Sequence, residues 1–110
     1  MNKNSKNNEL RGIYDNVMLP NYSPANFIPK KAKGSRIWDL DNKEYIDFGG
    51  GIAVNSLGHS HPSLIKALSD QSQKFWHLSN FLSNEPAINL AKQITDSTFA
   101  ENVFLSNSGT

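Results

Sequence analysis

Residues 34–62 read GSRIWDLDNKEYIDFGGGIAVNSLGHSHP, and the way this stretch divides decides the fold. In its first half polarity alternates. Arg36 to Leu40 and Glu44 to Phe48 flank a turn around Asp41 and Asn42, the pattern of a β-hairpin whose cross-strand contacts come from Ile37, Trp38 and Tyr45. Asp39, Asp41, Glu44 and Asp47 read as turn and surface residues of that hairpin. The second half drops the alternation. Gly49, Gly50 and Gly51 lack the spacing of a dinucleotide fingerprint or a P-loop and read as a hairpin exit needing positive φ, although a bare backbone also admits a ligand closely. His59 and His61, between Gly58 and Pro62, read as the lead-in to a helix rather than a metal site, because no carboxylate stands at helical ligand spacing.

Upstream of the hairpin, Leu10, Ile13, Tyr14, Val17 and Met18 recur at helical spacing and predict an amphipathic helix over 9–19, closed by Pro20. Residues 1–8, MNKNSKNN, carry no apolar side chain after Met1 and are expected to be disordered. Between Pro20 and Pro29 the segment NYSPANFIP is punctuated by proline and should run extended across another surface, with Tyr22, Phe27 and Ile28 in need of a packing partner. Lys30, Lys31 and Lys33 read as a solvated loop.

Downstream, Leu64, Ile65, Leu68 and Phe75 predict a helix over 62–75 with Pro62 in its first turn. Ala87, Leu90, Ala91 and Ile94 predict a second helix over 84–98 with Asn84 as N-cap. His77 reads as packed or hydrogen-bonded, and Ser79 and Ser83 lack a nucleophile-elbow context. Val103 to Leu105 is a short apolar run expected to be a buried strand. Two helices, a hairpin and one strand resemble the opening of an α/β domain whose sheet is mostly still to come. After that strand, Ser106-Asn107-Ser108-Gly109-Thr110 is a turn of small residues. Converging backbone N–H groups and the hydroxyls of Ser108 and Thr110 could hold a phosphate there, as could the start of a following helix, although Ser-Gly-Thr also occurs in ordinary turns.

Composition narrows the remaining classes. A chain of 110 residues with 37% hydrophobic content and mean hydropathy −0.52 can build only a modest core. With no cysteine it has neither disulfides nor a thiolate metal site, and a reducing cytoplasmic location is the default. No run approaches membrane-spanning length, and a net charge of +1 with scattered lysines gives no nucleic-acid footprint.

The order of strings, LPNYSPANFIP, then GSRIWDLDNKEYIDFGGGIAVNSLGHSHP, FWHLSN, NEP and VFLSNSGT, resembles the N-terminal part of the class III pyridoxal-phosphate aminotransferases over residues 9–110. Within them it is most similar to the branch acting on N2-acetylornithine and, in many bacteria, on N-succinyl-LL-2,6-diaminopimelate. The resemblance implies the aspartate aminotransferase-like fold type I, an incomplete α/β fold here, with residues 9–60 as arm and small-domain segment and 61–110 as the start of the large cofactor-binding domain. It implies a homodimer, pyridoxal 5'-phosphate as cofactor, and transfer of an ω-amino group to 2-oxoglutarate in arginine and lysine biosynthesis. It places Ser108, Gly109 and Thr110 on the cofactor phosphate and Tyr22 and Ile52 on the substrate side. The Schiff-base lysine and the acidic partner of the ring nitrogen are expected beyond residue 110, so the chain reads as truncated and inactive alone; Lys66, Lys74 and Lys92 read as solvated helix positions. The alternatives are another ω-aminotransferase, acting on succinylornithine, ornithine or 4-aminobutyrate, or a non-catalytic module keeping only this half. An isoleucine at position 52, where ornithine enzymes carry an aromatic residue, weighs against ornithine.

Overall fold

In the computed structural model residues 5–108 are described, and they fall in two compact units, Met1–Leu68 and Ser69–Thr110. Residues 1–4 of the polar head, and Gly109 and Thr110 of the phosphate turn, lie outside the described residues.

Helix α1 spans Lys6–Val17. It begins three residues before the helix expected from periodicity, because Ser5 is its N-cap, accepting from the Asn8 amide at 3.4 Å. The expected disorder therefore does not extend to residues 5–8. Asp41 strengthens this start from far along the chain: Ser5 Oγ donates to it, as do the Lys6 amide at 3.0 Å and Asn7 Nδ2 at 2.8 Å. Met18 N–H closes the helix on the Tyr14 carbonyl at 2.9 Å, and Pro20 keeps the residues before it out of helical geometry.

A three-stranded antiparallel sheet follows in the order β1 (Pro29–Lys33), β2 (Arg36–Asp39), β3 (Glu44–Ile46). The β2–β3 hairpin is the expected one, with Ile37 opposite Tyr45 and Trp38 opposite Glu44. Strand β1 corrects the reading of Lys30, Lys31 and Lys33 as loop. It pairs with β2 through Lys31 opposite Trp38 and Ala32 opposite Ile37, after a register shift between Pro29 and Lys31. Lysines suit an edge strand, where charge discourages pairing with a further chain. Lys31 also lays its ammonium 4.8 Å from the centre of the Trp38 ring. The signal that could have revealed β1 is Gly34-Ser35, a two-residue connection with glycine at the first central position (φ 57°), the arrangement of a primed hairpin turn.

The segment before β1 folds back on this unit. Arg11 Nη1 donates to the carbonyls of Pro24 at 2.9 Å and Ala25 at 3.2 Å, and Ile28 N–H donates to Asn7 Oδ1 at 2.8 Å. Phe27 stacks on Tyr45 with ring centres 4.1 Å apart and planes 11° from parallel. Two of the three side chains expected to need a partner, Phe27 and Ile28, are half-buried, and Tyr22 stays exposed.

Helix α2 (Pro62–Ser72) and helix α3 (Glu85–Ser97) match the two downstream expectations, α2 ending three residues sooner. Asn84 Oδ1 caps α3 by accepting from the Ala87 amide at 2.9 Å, and Lys92 grips both oxygens of Asp96 at 2.8 and 2.9 Å. The buried strand expected at Val103 to Leu105 does not form: this run has no ladder partner among the described residues, Phe104 and Leu105 are exposed, and an isolated strand has no hydrogen bonds to hold it.

Among the described residues no apolar side chain is fully buried, and the most enclosed large side chain is a carboxylate, Asp39, 2% exposed. No described helix is long and apolar enough to cross a membrane.

Candidate functional site

Asp39 and its neighbours form the polar frame on which the first unit is hung. Its Oδ1 accepts from the amides of Asp41 at 3.0 Å and Lys43 at 2.8 Å, and its Oδ2 from the Tyr45 hydroxyl at 2.9 Å. Burial pushes this carboxyl up, but the Lys43 amide, the Tyr45 hydroxyl, Asn7 and the Asp41 amide together hold it below the ordinary aspartate value. Tyr45 responds in the opposite sense, raised by burial and by the adjacent Asp39. Asp41 is lowered chiefly by the Ser5 hydroxyl. The surface reading of Asp39 is thereby corrected, whereas Asp41 is the exposed turn residue expected; both organise the fold, Asp41 through donors up to 36 residues away.

Beyond β3 the chain makes a short left-handed turn, Gly50–Ala53. Its residues have φ of 51°, 64°, 62° and 62°, so the positive φ expected for the glycines holds at Gly50 and Gly51 but not at Gly49, which is right-handed at φ −85°. Ile52 and Ala53 share the conformation, which costs an L-residue roughly 1–2 kcal/mol. Ile52 is 95% exposed, so its own packing does not offset that cost. Asp47 Oδ1 accepts from the Gly49 and Gly50 amides at 2.9 and 3.0 Å at the start of the turn, and Asp47 Oδ2 meets His59 Nε2 at 2.6 Å. A carboxylate only accepts, so His59 carries the shared proton on Nε2. The His59 bond, then the Gly50 and Gly49 amides, hold the Asp47 carboxyl below its usual value. The Nε2 of His59 is thus engaged with Asp47. Among the described residues no group of three or more His, Asp or Glu stands where it could hold an ion. His61 leads into α2 as expected, its carbonyl accepting from the Leu64 and Ile65 amides and its Nδ1 from the Ser63 amide at 3.3 Å.

The site residues expected from the sequence fall in different units. Tyr22, 78% exposed, and Ile52 belong to the first, whereas Ser108 belongs to the second. In the second unit a concavity of about 390 Å³ lies among Gln71, Trp76, His77, Ser79, Asn84 and Asn107. Asn107, which lines it, lies in the turn expected to hold a phosphate. That turn is described as far as Ser108, and Ser106 Oγ donates to the Ser108 carbonyl at 2.6 Å. From Asn102 to Thr110 the sequence contains hydroxyls, amides and apolar groups but no carboxylate, a donor set that fits a dianionic phosphate.

Residues 17–110 match the aminotransferase class-III family, and the chain belongs to it. Over 99 residues, 90% of this chain, it is 59% identical to the succinylornithine transaminase/acetylornithine aminotransferase of Pseudomonas aeruginosa. It is 60% identical over the same share to the acetylornithine/succinyldiaminopimelate aminotransferase of Photorhabdus laumondii. It spans about a quarter of the length of these curated relatives, 24% and 25%. Among solved structures, N-acetylornithine aminotransferase from Stenotrophomonas maltophilia superposes with a TM-score of 0.77 at 38% identity, covering 89% of this chain and 26% of that one. Ornithine aminotransferase from Toxoplasma gondii, described with partial occupancy of PLP at its active site, reaches a TM-score of 0.83 at 24% identity over 89% of this chain and 23% of that one. The fold is therefore part of that of the pyridoxal-phosphate-dependent aminotransferases, as the motif order implied.

Proposed function

We propose that this chain is the opening segment of an ω-aminotransferase that moves the amino group of N2-acetylornithine to 2-oxoglutarate, yielding N-acetylglutamate 5-semialdehyde and glutamate, a step of arginine biosynthesis. The single observation carrying this reading is the 57–60% identity to acetylornithine and succinylornithine aminotransferases over 90% of the chain. In this reading residues 9–60 supply the arm and small-domain segment and 61–110 open the large domain of a cytoplasmic homodimer. N-succinyl-LL-2,6-diaminopimelate is a second donor, supported by the name of the Photorhabdus relative.

Ser108, with Gly109 and Thr110, would hold the phosphate of pyridoxal 5'-phosphate through hydroxyl and amide donors. When bound, that cofactor supplies an electron sink for proton movement at the substrate carbon. Two further groups of this chain are substrate contacts in this reading. Ile52 offers an exposed apolar side chain to the aliphatic stem of the donor, and Tyr22 adds an exposed ring and hydroxyl on the substrate side. Neither bears a negative charge that would attract a free α-ammonium group, which suits a donor whose α-amine is acylated.

The test is steady-state transamination to 2-oxoglutarate by the full protein, comparing acetylornithine, succinylornithine, ornithine and 4-aminobutyrate. Acylated ornithines should have the highest kcat/KM; a preference for ornithine or 4-aminobutyrate overturns the substrate assignment. A second arm measures cofactor affinity in Ser108→Ala, expected to fall roughly tenfold for loss of one hydrogen bond to a charged group. The succinylornithine reading is kept as a companion because the Salmonella typhimurium relative, 58% identical, is named succinylornithine transaminase.

A further inference from the structure

Resting on the reading of Ile52 as a substrate contact, we propose that Asp47 and His59 form a positioning pair, closing the loop of residues 48–58 so that its left-handed turn presents Ile52 to the aliphatic stem of the amino donor.

The two ends of this loop land on consecutive residues. Asp47 N–H donates to the Ser35 carbonyl at 2.8 Å, while His59 exchanges both backbone bonds with Gly34, at 2.8 and 2.9 Å. The approach at the second end is close enough to exclude a side chain: a Cβ on Gly58 would lie 2.9 Å from Gly34 Cα. Across this mouth runs one side-chain link, His59 Nε2 to Asp47 Oδ2 at 2.6 Å, with both residues half-buried. The other oxygen of the same carboxylate receives the Gly49 and Gly50 amides, the first N–H groups of the turn. Asp47 therefore ties the exit of the loop to the start of the strained turn. Inside, Ala53 N–H reaches the Gly49 carbonyl and Asn55 N–H the Gly50 carbonyl, each at 2.9 Å.

Ile52 is the residue this arrangement serves. It is β-branched, left-handed and almost wholly exposed, so its conformation is imposed by the backbone on either side of it. A hydrolytic reading of the Asp47–His59 pair lacks a nucleophile, since the neighbouring Ser60 hydroxyl is committed to the Ala32 carbonyl at 2.8 Å.

The experiment uses the full protein with cofactor, isotopically labelled at isoleucine δ1 methyls, in Asp47→Ala, Asp47→Asn, His59→Phe and Ile52→Ala forms. Asp47→Ala and His59→Phe should shift or broaden the Ile52 methyl signal and raise KM for the amino donor roughly tenfold, with kcat within about threefold, the mark of lost binding without lost chemistry. Asp47→Asn keeps an oxygen for the glycine amides but turns an NH2 toward His59 Nε2, so it should lose the His59 link and match His59→Phe in both readouts. An Ile52 methyl signal unmoved in folded His59→Phe overturns the positioning role, whatever happens to Asp47→Ala. If the signal moves but Ile52→Ala leaves the donor KM unchanged, the substrate reading of Ile52 is what fails.

Discussion

Helices α1 and α3 are held by opposite means. The start of α1 is gripped by Asp41, 34 to 36 residues away in sequence. The side-chain bonds that hold α3 are local instead: Asn84 to Ala87, Lys92 to Asp96, and the Thr95 and Thr98 hydroxyls to the Lys92 and Ile94 carbonyls. The first helix is part of a tertiary network centred on carboxylates, and the second is a locally specified helix on whose stripe Ala87, Ala91 and Ile94 are half-buried and Leu90 stays exposed. Polar pins need exact partners but little area, so they can order a unit with no buried apolar side chain. A helix with an open apolar stripe relies on its caps and ion pairs until something covers it.

The comparison breaks most sharply at Asp39. Replacing it by alanine leaves the Asp41 and Lys43 amides and the Tyr45 hydroxyl without their acceptor. We expect amide hydrogen exchange over residues 36–46 to accelerate roughly tenfold or more, with α3 unaffected. Unchanged protection at Lys43 would show that the carboxylate is not the anchor.

Acidification separates the two regions in a graded way. Asp39, Asp41 and Asp47 all have folded values below the ordinary one, so their contribution is complete above the unfolded aspartate value of about 3.9 and is lost as pH falls through the lower folded values. The aromatic signals of Phe27 and Tyr45 should therefore lose their stacking shifts below about pH 4 while the Ala87 amide stays protected. Simultaneous loss in both regions would contradict the division of labour.

A smaller effect is expected from Asn84→Ala, which removes the α3 cap at a cost of about 1 kcal/mol, read as faster exchange at Ala87 with α1 unchanged. Smallest is Lys92→Ala: both partners of the Lys92–Asp96 pair are exposed, so thermal unfolding should shift by no more than about 0.5 kcal/mol in equivalent stability.

The pattern of what could be read in advance follows the same line. Helices α2 and α3 and the β2–β3 hairpin were legible, because their spacing, caps and alternation are local properties of consecutive residues. Strand β1 was hidden by three lysines that suit an edge as well as a loop, although Gly34-Ser35 held the clue. The run from Val103 to Leu105 looked like a strand for its composition, yet a ladder needs a neighbour and none is described. For the site, the motif order pointed to the family and to Ser108, Tyr22 and Ile52, but it gave no sign that Asp47 and His59 meet.

What the residues settle alone is therefore the family, through ordered strings, and the elements whose hydrogen bonds close within a few positions. Which carboxylates are structural was decided only in three dimensions. An aspartate in a turn looks the same in sequence whether it meets only water or also distant donors, and those that engage Asp41 come from the start of α1, 34 to 36 residues away.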